Sequence, residues 1–413
     1  MQSLTIVFLA ALTAMVALRW WLATRQLGAL ERHRDEVPAP FVASISAQEH
    51  AKAASYTASL LRLARLELVW GALLLLLVTL GGGLATLDAA VGRLGLGPVA
   101  HGVATLASLA LVMAAADLPF DLWRTFRIEA RYGFNRTTPA LYAADLARAL
   151  ALGALLGLPL LAVLIALMLA AGALWWLYAW LVWVACGLAI SLLWPRFIAP
   201  LFNRFRPLEP GSLKDAVVAV LARCGFASDG VFVMDGSRRS AHGNAYFSGV
   251  GRHKRIVLFD TLIERLLPAE IEAVLAHELG HFRLHHVRQR LVLGFATALA
   301  GFAVLGLAAA RPEFYAAFGV PHVSAHAALA LFALVVPVLA FPLAPLGSWW
   351  SRRHEYQADR FAAAHASGSA LAAALVKLYR DNASTLTPDP LYSAWHDSHP
   401  PALLRIAALA RGG

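Results

Sequence analysis

The chain has 413 residues, 59% of them hydrophobic and 15% charged, with a mean hydropathy of +0.63 and a formal net charge of +10. A soluble globular chain is nearer half apolar and a quarter charged, so the composition excludes an ordinary soluble domain and points to a membrane protein. The basic residues sit between apolar runs without a recognisable nucleic-acid-binding motif, which argues against nucleic acid as a partner, and the two cysteines, Cys186 and Cys224, form no CxxC pair, which excludes a cysteine-based zinc site.

A helix needs roughly 20 apolar residues to cross a bilayer. Residues 2–23 supply the first span. Their start lacks the positive charge of a signal peptide, so a retained helix is expected. Residues 68–87 and 100–120 supply the second and third. No charged residue occurs from Ala149 to Pro195, room for a fourth and a fifth span with a turn near Gly172. Residues 291–310 form the sixth. Residues 324–349 form the seventh, in which neighbouring helices are expected to tolerate Pro337, Pro342 and Pro345.

Lys and Arg cluster after spans one, three and five: Arg25, Arg32, Arg34 and Lys52, then Arg124, Arg127, Arg131 and Arg136, then Arg196, Arg204, Arg206 and Lys214. The other turns carry little beyond Arg93 and Arg311. The positive-inside rule then puts the N-terminus outside and the C-terminus in the cytoplasm. The Ala/Leu/Arg-heavy composition suggests a GC-rich bacterial genome, hence a bacterial inner membrane.

Four segments follow from this pattern: spans one to five over 1–195, a polar domain over 196–290, spans six and seven over 291–349, and a C-terminal polar segment over 350–413. In the polar domain, "VFVMD", "NAYFSG" and "RIVLFDTLI" read as strands, the last two joined by the turn "VGRHK". Pro268 opens a helix expected to run through His277 and His281 and on into span six. The fold class is therefore mainly α, a polytopic bundle of seven transmembrane helices with a small sheet-containing domain on the cytoplasmic side.

The chemistry centres on "HELGH", residues 277–281. Positions i and i+4 share a helix face, so His277 and His281 can turn their imidazoles to one ion while Glu278 reaches a water beside it. This is the pattern of a zinc protease, with the glutamate as general base. A third ligand is needed. One protease class takes a histidine six residues after the second, but that position is Val287. Only two glutamates follow His281. Glu313 lies in a loop on the opposite membrane face, whereas Glu355 returns to the right side after span seven and is expected to be the third ligand. Asp359, one turn later, is expected to accept a hydrogen bond that orients a ligand histidine, or else to pair with Arg352, Arg353 or Arg360. His285 and His286 read as cytoplasmic-interface residues, and no catalytic part is expected for them or for His354.

The chain resembles the integral-membrane CAAX prenyl endopeptidases, zinc proteases of the gluzincin type. The resemblance runs through "RYGFNRTT" (131–138), "IAPLFNRFRPLEPGSLK" (198–214), "SAHGNAYFSGVGRHKRIVLFDTLI" (240–263), "HELGH" (277–281), "EYQAD" (355–359) and "HDSHPPALLRI" (396–406). It implies seven spans around a water-filled chamber, with one Zn2+ at its cytoplasmic end. It also implies release of the last three residues of a prenylated Cys-a-a-X peptide. Asn244, Ala245 and Tyr246 resemble a substrate-binding edge strand, His399 a donor to the oxyanion, and Arg405 part of the same substrate-side cluster. The implied partners are a peptide or protein substrate, lipidated or not, and membrane lipid. Two further readings are a membrane quality-control protease without a prenyl requirement and a non-catalytic transporter or scaffold holding structural zinc.

Overall fold

A computed structural model describes residues 2–226, 230–250 and 253–412. The first helix, α1 (Gln2–Arg32), is followed by α2 (Ala47–Val78). A capping box starts α2: Ser46 Oγ accepts from the Glu49 amide at 3.2 Å, and Glu49 accepts from the Ser46 amide at 2.8 Å. At Gly81–Gly83 the chain bends by 53° into α3 (Gly83–Gly92). The span expected over 68–87 is thus a broken pair, not one straight helix.

Next come α4 (Pro98–Trp123), a π-helical turn (Arg124–Glu129) and the short α5 (Ala130–Tyr132). The long apolar run forms α6 (Pro139–Ala170) and α7 (Trp175–Leu193), turning at Gly172 as its sequence suggests. A π-helical turn (Trp194–Ile198) and α8 (Ala199–Phe202) lead out of the bundle.

The polar region contains β1 (Phe205–Pro207), α9 (Ser212–Arg223), β2 (Val231–Met234), β3 (Ala245–Val250), β4 (His253–Phe259), α10 (Asp260–Ile263) and α11 (Pro268–Arg283). Strand β1 was not expected. The "RIVLFDTLI" strand stops at Phe259, and its last four residues are helical. Of the proposed "VGRHK" turn, Gly251 and Arg252 lie outside the described residues. The sheet order is β1-β2-β4-β3, with β2 and β4 parallel and the other two pairs antiparallel, so β3 is an edge strand.

The remainder is α12 (His286–Ala309), α13 (Pro312–Ala316), α14 (Ala325–Ala340), α15 (Ala344–His365), α16 (Gly368–Asp381), α17 (Pro390–His396) and α18 (Ala402–Gly412). The helix of the HELGH motif does not continue into span six. It stops at Arg283, and His285 takes a left-handed conformation (φ 59°) before α12 begins. For a residue with a side chain that conformation costs about 1–2 kcal/mol. Pro342 sits inside a 3-10 turn, Phe341–Leu343, between α14 and α15, Pro345 lies in the first turn of α15, and α15 carries span seven on to His365.

Among the described residues six helices are long and apolar enough to cross a membrane, or seven if α2 and α3 count as one span. They touch in sequence around a ring: α2 with α1, α1 with α14, α14 with α4 and α12, α4 with α6, α6 with α7, α7 with α12. Contact between them is thin. In the most apolar stretches of the α7 and α12 spans only 6% of residues are buried, so most of the surface of these two helices is left uncovered by protein despite their contact with each other.

The polar elements share one core. Val217 and Val220 of α9, Ile256 and Leu258 of β4, and Ile271, Leu275 and Leu279 of α11 pack with Ala362 of α15 and Leu371 and Ala374 of α16. The loop after α5 joins them. Ala241 donates to the Phe134 carbonyl, Arg136 donates to the Arg239 carbonyl, and Arg239 clamps Asp145 at 2.8 and 3.0 Å. At the start of α1, Thr5 Oγ1 donates to Ala317 O beyond α13. Near its end, Arg25 pairs with Asp389 before α17 at 2.9 Å. The start of α1 therefore lies at the far end of the bundle and its finish at the polar domain.

Candidate metal centre and active site

The centre forms where α11 crosses α15. Small residues set the crossing distance. A Cβ built on Gly280 would sit 3.1 Å from both Ala358 Cα and Phe361 Cβ, tighter than ordinary contact, and Ala276, Ala358 and Ala362 are fully buried alongside. The glycine of HELGH thus permits a close approach between the helices.

That approach brings three ligand-type side chains together. His277 Nε2 lies 3.4 Å from Glu355 Oε2, and His281 Nε2 lies 3.3 Å from Glu355 Oε1. One donor atom from each residue falls within 4.8 Å of the others. Bonds of ~2.0–2.1 Å in tetrahedral geometry separate ligand atoms by ~3.3 Å, so the two imidazole–carboxylate separations are those a metal ion would require. Glu355 is 2% exposed, and its Oε2 has no hydrogen-bond partner. A buried carboxylate oxygen left this way is costly unless a cation completes it.

The far nitrogens of both imidazoles are held. His277 Nδ1 donates to Asp359 Oδ1 at 2.8 Å. Asp359 in turn receives two hydrogen bonds from buried Arg405, at 2.6 and 2.8 Å. His281 Nδ1 donates to His286 Nδ1 at 3.0 Å, and His286 Nε2 donates to Gln357 Oε1 at 2.9 Å. This network leaves Nε2 of both His277 and His281 with a free lone pair aimed at Glu355. His286 also stacks on His354 with ring centroids 3.9 Å apart. The interface reading of His286 is therefore overturned: it is buried behind the centre, as is His354. Asp359 pairs with Arg405, not with Arg352, Arg353 or Arg360.

Electrostatics favour a cation. Burial disfavours charge on His277, yet its hydrogen bond to Asp359 and the nearby Glu355 carboxylate outweigh it and raise its pKa to about 9. Burial pushes the Glu278 carboxyl above its usual range, against the pull of His277 and His281, a direction suited to a general base working near neutral pH.

In front of the centre lies a cavity of about 480 Å³, bordered by His277, Glu278, His399, Asn244, Ala245 and Arg405. Tyr246 is not on its wall; its ring meets Phe259 edge-on at 6.3 Å. Asn244 O accepts from the Phe259 amide, so by antiparallel alternation the N–H and C=O of Ala245 face the free edge of β3. The Asn244 side chain covers that N–H at 2.8 Å. His399 Nε2 lies 3.5 Å from Glu355 Oε2, and its Nδ1 is 3.0 Å from Ser398 Oγ. Arg352 holds this segment by donating to the carbonyls of Ser393, Ala394 and Asp397 at 3.2, 3.3 and 2.9 Å. Arg405 touches the cavity, but its guanidinium is committed to Asp359, with Nη1 3.8 Å from Glu355.

Most of the chain is similar to known proteins. Residues 26–204 match the family described as CAAX prenyl protease N-terminal, five membrane helices, and residues 207–412 match peptidase family M48. A CAAX prenyl protease 1 homolog of Oryza sativa subsp. japonica is 37% identical over 316 residues, covering 75% of this chain and 73% of the relative. The CAAX prenyl protease 1 of Saccharomyces cerevisiae is 35% identical over 332 residues, covering 75% and 72%. The human homolog is 32% identical over 383 residues, covering 81% and 80%. The crystal structure of S. mikatae Ste24p superposes with a TM-score of 0.91 at 28% identity, over 98% of each chain. The M48 assignment implies a metal cofactor and sets aside a non-catalytic transporter or scaffold. The chain is an integral-membrane metalloendopeptidase and belongs to the M48 CAAX prenyl protease family.

Proposed function

We propose that the chain is a zinc endopeptidase that trims the C-terminus of lipidated, CAAX-type peptides at the cytoplasmic face of its membrane. The observation that carries the reading is the convergence of His277, His281 and Glu355, with the buried carboxylate 3.4 and 3.3 Å from the two imidazoles and all three donors within 4.8 Å of one another. Two imidazoles and a carboxylate are the donor set of a catalytic zinc site with one position left open. When bound there, zinc would supply Lewis acidity and lower the pKa of the attacking water towards neutral.

The protein's own groups do the rest. Asp359 and His286 fix the tautomers of His277 and His281. Arg405 acts through Asp359, a positioning role, since its buried guanidinium is already engaged. An extended peptide adds to β3 through the edge-facing N–H and C=O of Ala245, displacing the Asn244 side chain. Glu278 takes the proton of the attacking water and returns it to the leaving amine as the C–N bond breaks. Ser398 donates to His399 Nδ1, which keeps a proton on Nε2 for the developing oxyanion.

The lipid preference rests on the thin contact between spans. Spans packed this sparsely leave space between them that a prenyl chain fills while the scissile bond meets water at the polar end. The relatives' printed names carry the same substrate class. The test is hydrolysis of one CAAX peptide by the purified chain, with and without its prenyl group. Chelator-sensitive cleavage faster with the prenyl group supports the reading. Equal rates transfer the chain to general membrane-protein clearance, and cleavage insensitive to chelation removes the metal mechanism.

A further inference from the structure

A second group of metal-ligand side chains lies far from the peptidase centre. Asp88 on α3, His101 on α4 and His326 at the start of α14 bring one donor atom each within 4.8 Å of one another. Asp88 Oδ1 is 2.6 Å from His101 Nε2 and 2.7 Å from His326 Nε2. Ser324 Oγ stands 3.2 Å from His326 Nε2, and Thr105 Oγ1 stands 3.5 Å from the same Asp88 oxygen.

The backbone is shaped for this convergence. A Cβ built on Gly102 would lie 3.2 Å from His326 Cβ and Nδ1, and 2.9 Å from Ile165 Cδ1. The missing side chain at 102 is therefore what lets His326 reach across α4. Ser324 caps α14 by accepting from the Ala327 amide at 3.3 Å, which places His326 in the first turn. His326 is 8% exposed, whereas the side chains of Asp88 and His101 are 28% and 21% exposed, enough for an ion to enter from outside the bundle.

We propose that Asp88, His101 and His326 form a second divalent-metal site, of zinc chemistry, that clamps α14 to the α3–α4 hairpin. Two imidazole nitrogens with one carboxylate oxygen suit a borderline ion. The nitrogens and oxygen sit at hydrogen-bond spacing. Opening to the ~3.3 Å of tetrahedral ligands asks each donor pair to part by about 0.6–0.7 Å, within reach of side-chain rotation at a partly exposed site. The fourth position falls to the Ser324 hydroxyl or to water.

The site is independent of the first. From His326 to Glu355 the chain is nearly continuous helix across 29 residues. At ~1.5 Å per residue that path is about 40 Å, longer than the ~30 Å hydrocarbon core. One ion cannot serve both. The clamp instead anchors the far end of the helical path that delivers Glu355.

The experiment counts zinc in purified chain that has been stripped with chelator, reloaded with zinc and desalted. Wild type should hold two ions per chain. Asp88→Asn and His101→Gln should each hold one, as should Glu355→Ala, and the Asp88→Asn/Glu355→Ala double variant should hold none. Cobalt loaded into Glu355→Ala should give a visible absorption band that Asp88→Asn abolishes. A single ion per wild-type chain overturns the proposal, and that count stands even if a variant fails to fold. So does a second ion that survives both Asp88→Asn and His101→Gln, because it then sits on other surface groups.

Discussion

Glu278 and His286 flank the same two imidazoles and should fail in different ways. Glu278 borders the cavity and has no place in the ligand triangle. Glu278→Gln keeps the shape and removes the proton acceptor. Turnover should fall at least ~10²–10⁴-fold with metal content unchanged; loss of the metal would instead make Glu278 a ligand. His286 never meets the ion, yet it accepts from His281 Nδ1 and passes the hydrogen bond to Gln357. His286→Ala should weaken metal affinity by ~10–100-fold, the usual cost of an orienting partner. Competition against a chelator of known affinity measures this, and an unchanged Kd would reduce His286 to a ring stacked on His354. His277, Glu278 and His281 were legible because one helical turn relates them. Glu355 followed from side-of-membrane elimination among two glutamates. His286 was not legible: helical spacing places residue i+5 away from residue i, and only the left-handed His285 swings it back.

At the level of elements, the centre depends on how closely α11 and α15 pass. Gly280→Val puts branched carbon where a single Cβ is already 3.1 Å from Ala358 Cα. The helices must part by tenths of an ångström or more, and overpacking of this kind costs about 1–3 kcal/mol. Glu355 moves away from His277 and His281, so metal occupancy and thermal stability should fall together. Full occupancy with lowered stability would show that the crossing has slack. The contact of α1 with α17 allows a cleaner dissection. Asp389 accepts from the amides of Leu391 and Tyr392, capping α17, and also from Arg25 on α1. Asp389→Ala removes cap and ion pair, and the cap alone is worth about 1 kcal/mol. Asp389→Asn keeps the cap, so its melting temperature should fall between wild type and Asp389→Ala; equality with Asp389→Ala would assign the whole effect to the Arg25 pair. Most helices and spans were legible from apolar run length. The breaks were harder, since α2/α3 and α11/α12 part within a few residues, at positive φ angles of Gly82 and His285 that hydropathy does not encode. The Asp88, His101 and His326 cluster left no local signature, because its members are 13 and 238 positions apart from Asp88 and meet only through tertiary packing.

For the whole molecule, the distribution of positive charge and the path of α1 bear on the same question. Arg25 reaches Asp389 beside the metal-bearing domain, and Arg136 and Arg239 bind the loop after α5 to that domain. Arg204 lies between α8 and β1, on the same side. Arg93 is in the turn between α3 and α4, and Arg311 just before α13, at the end where Thr5 meets Ala317. Lys and Arg near span ends are retained on the cytoplasmic side during insertion, so the metal centre should face the cytoplasm and the α3–α4 turn the opposite compartment. The two native thiols, Cys186 and Cys224, are unpaired and can be replaced by serine to give a blank background. Leu96→Cys then marks the α3–α4 turn and Glu209→Cys the loop after β1, both exposed positions. In intact cells a membrane-impermeant maleimide should label Leu96→Cys at once and Glu209→Cys only after the membrane is opened. The reverse pattern would place the peptidase centre outside the cell and leave a cytoplasmic lipidated substrate out of reach. Labelling of Leu96→Cys in intact cells would in addition open the Asp88, His101 and His326 cluster to metal supplied from outside, by a route that never crosses the bilayer.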